Sequence, residues 1–134
     1  TACDATGGII SASATGISFR YDKNGNGACS GDDEVITFAF GSSNVTRNGE
    51  ALSDSNATAI QFTYYPQQTS TTAPAPYCIS SGVPSGCSGT LSTNFASVKK
   101  IVISLTVRPK STDTQFTGTD VTMVATTDLR NHGL

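Results

Sequence analysis

A single mostly β domain, an antiparallel meander or sandwich of about six strands, is the fold class that the sequence predicts. Three observations predict it. Apolar and polar residues alternate in four separate segments, no stretch keeps a helical apolar period, and Asn-Gly pairs punctuate the chain. At 134 residues, the chain is long enough for one domain, spanning 1–134, with a hydrophobic core.

The strands follow in order. In "TGISFRYD", Ile17, Phe19 and Tyr21 share one face, with Ser18 and Arg20 on the other. In "EVITFAFG", Ile36, Phe38 and Phe40 share a face, with Thr37 and Ala39 opposite. "NVTRNGEALSD" reads as two short strands about an Asn48-Gly49 turn, because Asn and Gly tolerate positive φ. "TAIQFTYY" places Ile60, Phe62 and Tyr64 together. Residues 66–97 break the pattern with Pro66, Pro74, Pro76, Pro84 and many Ser and Thr, a loop long enough to be functional or partly disordered. "VKKIVISLTVRP" resumes alternation through Ile101, Ile103, Leu105 and Val107 until Pro109, and Val121, Met123 and Ala125 begin a last strand. The predicted inner face carries Phe19, Ile36, Phe38, Phe62, Ile101, Ile103 and Val121. A sheet with one apolar face needs a cover. With little helix expected, the cover is a second sheet or a segment missing from the chain.

Composition narrows the function classes. Charged residues make up 13% of the chain and the net charge is −2, so a phosphate backbone would find little basic surface, and nucleic-acid binding is not expected. Four cysteines, Cys3, Cys29, Cys78 and Cys87, lack the spacing of a paired zinc site and read as two disulfides, which implies an oxidising compartment, periplasmic or extracellular. Cys78 and Cys87 enclose the short stretch "ISSGVPSG", leaving Cys3 for Cys29, although three pairings exist in principle. No signal peptide or membrane-spanning run is visible, and residue 1 is Thr, so a processed or trimmed start is expected.

The stretch "DKNGNGACSGDDE" carries the strongest candidate site. Asp22, Asn24 and Asn26 fall at alternate positions, Gly27 follows, and Asp33 comes six residues after it. That spacing approaches a twelve-residue calcium loop, with oxygens at positions 1, 3 and 5 and a closing carboxylate at position 12. Asp22, Asn24, Asn26 and Asp33 would give side-chain oxygens, Ala28 its carbonyl, and Ser30 a hydroxyl or bridging water. Asp33 stands where glutamate is usual and reaches less far. The same residues also suit an Asx-rich hairpin loop that holds no ion, since both flanks alternate as strands.

Catalysis has little to stand on. His132 is the sole histidine and lies near the end of the chain; no nucleophile elbow is present. Asp32, Asp33 and Glu34 are adjacent, so strand geometry would point them apart. An enzyme is not expected. Asn44 and Asn56 each begin an Asn-x-Thr triplet, a pattern that a Ser/Thr-rich chain produces readily by chance.

Several motifs, taken in order, resemble a known family. They are "DKNGNG" at 22–27, "RNG" at 47–49, "IQFTY" at 60–64, "IVISL" at 101–105, and the closing Arg130-Asn131 pair. Together they resemble the globular head of a type IV minor pilin of the PilW type, related to GspJ-like pseudopilins. The resemblance spans most of the chain except the proline-rich loop, and no single motif is specific. It implies a pilin-like α+β protein whose N-terminal helix precedes this chain and anchors it in the inner membrane before assembly. It implies a non-enzymatic subunit that contributes to assembly and priming of the pilus tip and to adhesion. Its partners would be other minor pilins or pseudopilins, with a tip adhesin among them. The alternative from another class is a freestanding secreted binding or adhesion module, calcium-dependent through the 22–33 loop.

Overall fold

The computed structural model describes residues 8–29, 34–52, 55–80, 82–109 and 119–129. It is mostly β and antiparallel, as the sequence predicts, with eight described strands in two sheets. The first sheet is a meander of five: β1 (Ile9–Ala12), β2 (Gly16–Arg20), β3 (Val35–Phe40), β4 (Val45–Arg47) and β5 (Glu50–Ala51). The second is a meander of three: β6 (Ala57–Tyr65), β7 (Lys100–Val107) and β8 (Val121–Asp128). Among the described residues helix is confined to 3-10 geometry, at Phe95–Ser97 and at Glu34 just before β3.

Register puts the alternating apolar residues on common faces. Phe19 pairs with Ile36 and Ile17 with Phe38 across β2 and β3. Phe62 pairs with Ile103, and Tyr64 with Ile101, across β6 and β7. Directly paired residues point to the same side of a sheet, so each sheet has one apolar face. The two faces meet in a single core in which Ile9, Ile17, Ile60, Phe62, Tyr64 and Ile101 are buried. Each such side chain contributes about 1.5–3 kcal/mol through burial. The cover anticipated from sequence is therefore in part a second sheet. Phe19 and Phe38 stack with centroids 6.3 Å apart on its wall.

The Asn48-Gly49 turn forms as expected. Both residues have positive φ, 50° and 85°, which is the two-residue turn whose twist matches its flanking strands. Asn48 reaches back across β3: its Oδ1 accepts from the Thr37 N–H at 2.8 Å and its Nδ2 donates to the Val35 carbonyl.

Three expectations change. Strand β1 was not expected: Ile9 and Ile10 are adjacent and Ser and Ala follow, so no alternation marks it. It forms because it pairs with β2, with an irregularity between Ile9 and Ser11 that leaves Ile9 buried and Ile10 exposed. Val121, expected on the buried face, is 45% exposed. It does lie on the apolar side, opposite Val107, but nothing described covers β8. The 66–97 loop is anchored over its later part rather than loose throughout, although residues 67–73 are exposed. Ile79 and Leu91 are buried in the core, as is Val98 just after the loop, and the Tyr77 hydroxyl donates to Ser97 Oγ at 2.8 Å.

Candidate functional site

The loop after β2 is built by its own Asx residues. The Asp22 carboxylate accepts three backbone N–H groups: Gly25 (2.7 Å) and Asn26 (3.0 Å) on Oδ1, and Gly27 (2.7 Å) on Oδ2. Asn24 Oδ1 accepts from the Asn26 N–H at 3.0 Å, and Asn26 Oδ1 from the Ala28 N–H at 2.8 Å. Short polar side chains that bond their own backbone a few residues on are what turn the chain here. Gly25 and Gly27 adopt φ of 74° and 78°, conformations costly for other residues. The hairpin expected between β2 and β3 is thus present.

As calcium ligands, the residues stand as follows. The oxygens of Asp22, Asn24 and Asn26, at positions 1, 3 and 5, all turn toward the loop's own N–H groups, hence toward its interior. Oxygen donors facing inward are the chemistry a hard cation needs, but the described set carries one carboxylate. Ser30 and Asp33 lie outside the described residues, as do Asp32 and His132. Ala28 is described and its N–H caps Asn26. The Asx cage accounts for the alternate spacing whether or not an ion joins it.

Below the loop, Cys29 is fully buried and disulfide-bonded. Its expected partner, Cys3, lies outside the described residues. Arg20 Nη1 donates to the Cys29 carbonyl at 2.7 Å and ties the end of β2 to the loop's exit. The expected Cys78–Cys87 disulfide is present, with Cα atoms 4.9 Å apart. It closes the tip of the long loop, while the Tyr77 N–H donates to the Tyr64 carbonyl and holds that loop along β6.

A second candidate was not anticipated as a site. Between the sheets runs a cleft of about 500 Å³, walled by apolar side chains such as Ile17, Phe38, Ile60, Phe62 and Ile103. Arg20 is the one charged residue among those lining it. Along β7 and β8 the apolar face continues outward through Leu105, Met123 and Val121, with Met123 50% exposed. The inner face of the second sheet is therefore sealed at β6 and bare at β8. Sequence reasoning gave the face and not the bareness, because alternation reports the side and not the cover.

Tyr64 closes the other end of the core. It is fully buried, and its hydroxyl donates to the Ser13 and Gly16 carbonyls at 3.0 and 3.1 Å, joining β6 to the β1–β2 turn. Burial raises its pKa well above the ordinary tyrosine range. No described arrangement pairs a nucleophile with a base. Asn44 and Asn56 are both half-buried. Compared with family models, curated proteins and solved structures, the chain matches none.

Proposed function

We propose that this chain is the globular head of a type IV minor pilin of the PilW type, a non-enzymatic subunit that primes assembly of the pilus tip. The observation that carries the reading is the bare apolar half of the second sheet, continuous with the cleft. A β-sheet face of this kind is stable when another layer covers it. Strand β7 has eight residues, about 26 Å of sheet, which roughly five turns of helix would match. A helix from a segment preceding residue 1 would complete the core, as the family resemblance implies, and the heads would stack through their loops and sheet edges. The disulfides suit the periplasm and the cell surface, where such subunits assemble. Anchoring through that helix, docking on other minor pilins and presentation of an adhesin all belong to this proposal.

A calcium ion at the 22–33 loop is a subordinate proposal, favoured by the inward-facing oxygens of Asp22, Asn24 and Asn26. An ion there would hold the hairpin rigid for a neighbouring subunit, or for a surface ligand if the protein works alone as a secreted binding module.

The test is deletion of the gene in the producing bacterium, with surface pili counted by electron microscopy. Loss of pili, restored by the wild type and not by Met123→Asp, supports the pilin. Unchanged pilus numbers with lost surface attachment would replace it with the secreted module.

A further inference from the structure

The chain contains three Asn-Gly pairs: Asn24-Gly25, Asn26-Gly27 and Asn48-Gly49. This dipeptide is chemically fragile. The glycine nitrogen loses its proton and attacks the side-chain Cγ of the preceding asparagine. A C–N bond forms, the bond to Nδ2 breaks, and ammonia leaves. Solvent water then opens the cyclic imide at either carbonyl, giving aspartate or isoaspartate. Glycine favours the attack because it has no Cβ to obstruct it and its backbone turns freely. Two of the pairs sit in an exposed loop, where water is plentiful.

We propose that Asp22 guards the Asn24-Gly25 and Asn26-Gly27 pairs against deamidation, through the two glycine N–H groups that its carboxylate holds. Both nucleophilic nitrogens are engaged by the same side chain, Gly25 N on Oδ1 and Gly27 N on Oδ2, each at 2.7 Å. A carboxylate at that distance favours the protonated nitrogen and opposes the anion that must attack. A second lock acts on the electrophile. The side chains of Asn24 and Asn26 are held by the N–H groups of Asn26 and Ala28, so each Cγ must leave a hydrogen bond before it can reach its own following nitrogen.

The third pair is held differently. Asn48 is clamped at both side-chain atoms by the backbone of β3, through Thr37 N and Val35 O. No carboxylate takes part in those two bonds, so Asn48 reports on the fold and not on Asp22. An unguarded loop would gain up to two negative charges, and isoaspartate would also lengthen its backbone. The reaction would therefore remake the turn that the alternate Asx spacing builds.

The experiment compares wild type, Asp22→Ala and Asp22→Asn, each incubated folded at mildly alkaline pH and mapped by peptide mass spectrometry over time. Reduced wild-type protein in urea gives the unprotected rates. The expected result is slow change at Asn24 and Asn26 in folded wild type, and acceleration by roughly tenfold in Asp22→Ala, the value of one charge-assisted hydrogen bond. Asp22→Asn keeps an acceptor oxygen without the charge and should fall between. Asn48 should be unchanged in all three folded proteins. Wild-type rates at Asn24 and Asn26 in both variants would overturn the proposal. So would folded wild type reacting there as fast as the unfolded chain. Equal acceleration at Asn48 would place the protection in the fold at large and overturn it as well.

Discussion

Replacing Tyr64 with phenylalanine removes one part-buried hydroxyl bond between β6 and the β1–β2 turn and should cost about 1 kcal/mol. The hydroxyl has one proton, so its two contacts at 3.0 and 3.1 Å count as a single shared bond. The Gly16 carbonyl keeps two other donors, the N–H and the Oγ of Ser13, and is not orphaned by the change. Ser13 is an exposed residue and its bond to Tyr64 is only part-buried, so the carbonyl that Tyr64 releases lies near solvent. Both facts hold the cost near the middle of the usual range and not at the penalty for an abandoned buried group. For a domain of this size, that is a fall in Tm of about 3–5 °C. The pH profile is the sharper assay. A buried hydroxyl with a raised pKa stays neutral in the fold while the unfolded tyrosine ionises near its ordinary pKa of roughly 10. The unfolded state then binds fewer protons, so this part of the stability is complete below about pH 10 and is lost as pH rises further. Urea melts from pH 7 to 11 should show an alkaline decline that is shallower in Tyr64→Phe than in wild type. Equal stability at pH 7 together with parallel alkaline limbs would refute the reasoning.

Three further outcomes follow from the geometry. Replacing Cys78 and Cys87 together with serine should lower stability by about 2.5–3 kcal/mol in urea melts, the entropy of a ten-residue closed loop, without unfolding β6–β8 in circular dichroism. Met123→Asp should change the stability of this domain by no more than about 0.5 kcal/mol, since Met123 is half-exposed, while blocking whatever layer covers β8; a large drop in Tm would mean the face is already sealed. Titration calorimetry with calcium should give heat in the millimolar range from the oxidised wild type and none from Asp22→Ala; no heat from either leaves the loop as an Asx turn alone.

Strands β2, β3, β6 and β7 were legible because large apolar side chains recur at every second position and each strand has a partner with the same pattern. The Asn48-Gly49 turn was legible because only a few residues tolerate its positive φ. Strand β1 was not, since four residues without alternation carry no period to read. Residue spacing showed that Asp22, Asn24 and Asn26 act together, yet it could not show that backbone N–H groups occupy their oxygens. The tie from Tyr64 to Ser13 and Gly16 crosses 51 and 48 positions and leaves no local trace. The anchored part of the loop was hidden for a related reason. Ile79 and Leu91 are isolated apolar residues in a stretch rich in Ser, Gly and Pro, and their burial is decided by the sheet they meet.

The two edges of the second sheet are unlike. Along β6, the Phe62 N–H donates to the Ala14 carbonyl and the Tyr64 carbonyl accepts from Tyr77, so that edge is occupied by the chain itself. Among the described strands none pairs with the outer edge of β8, whose eight residues are all exposed. From Val121 to Thr127 it carries no proline and no charge, the two devices that usually blunt such an edge. The isolated domain is thus a one-sided template. Concentrated solutions of it should associate through β8 and not through β6, and a lysine at Val124 is the substitution that would keep it soluble.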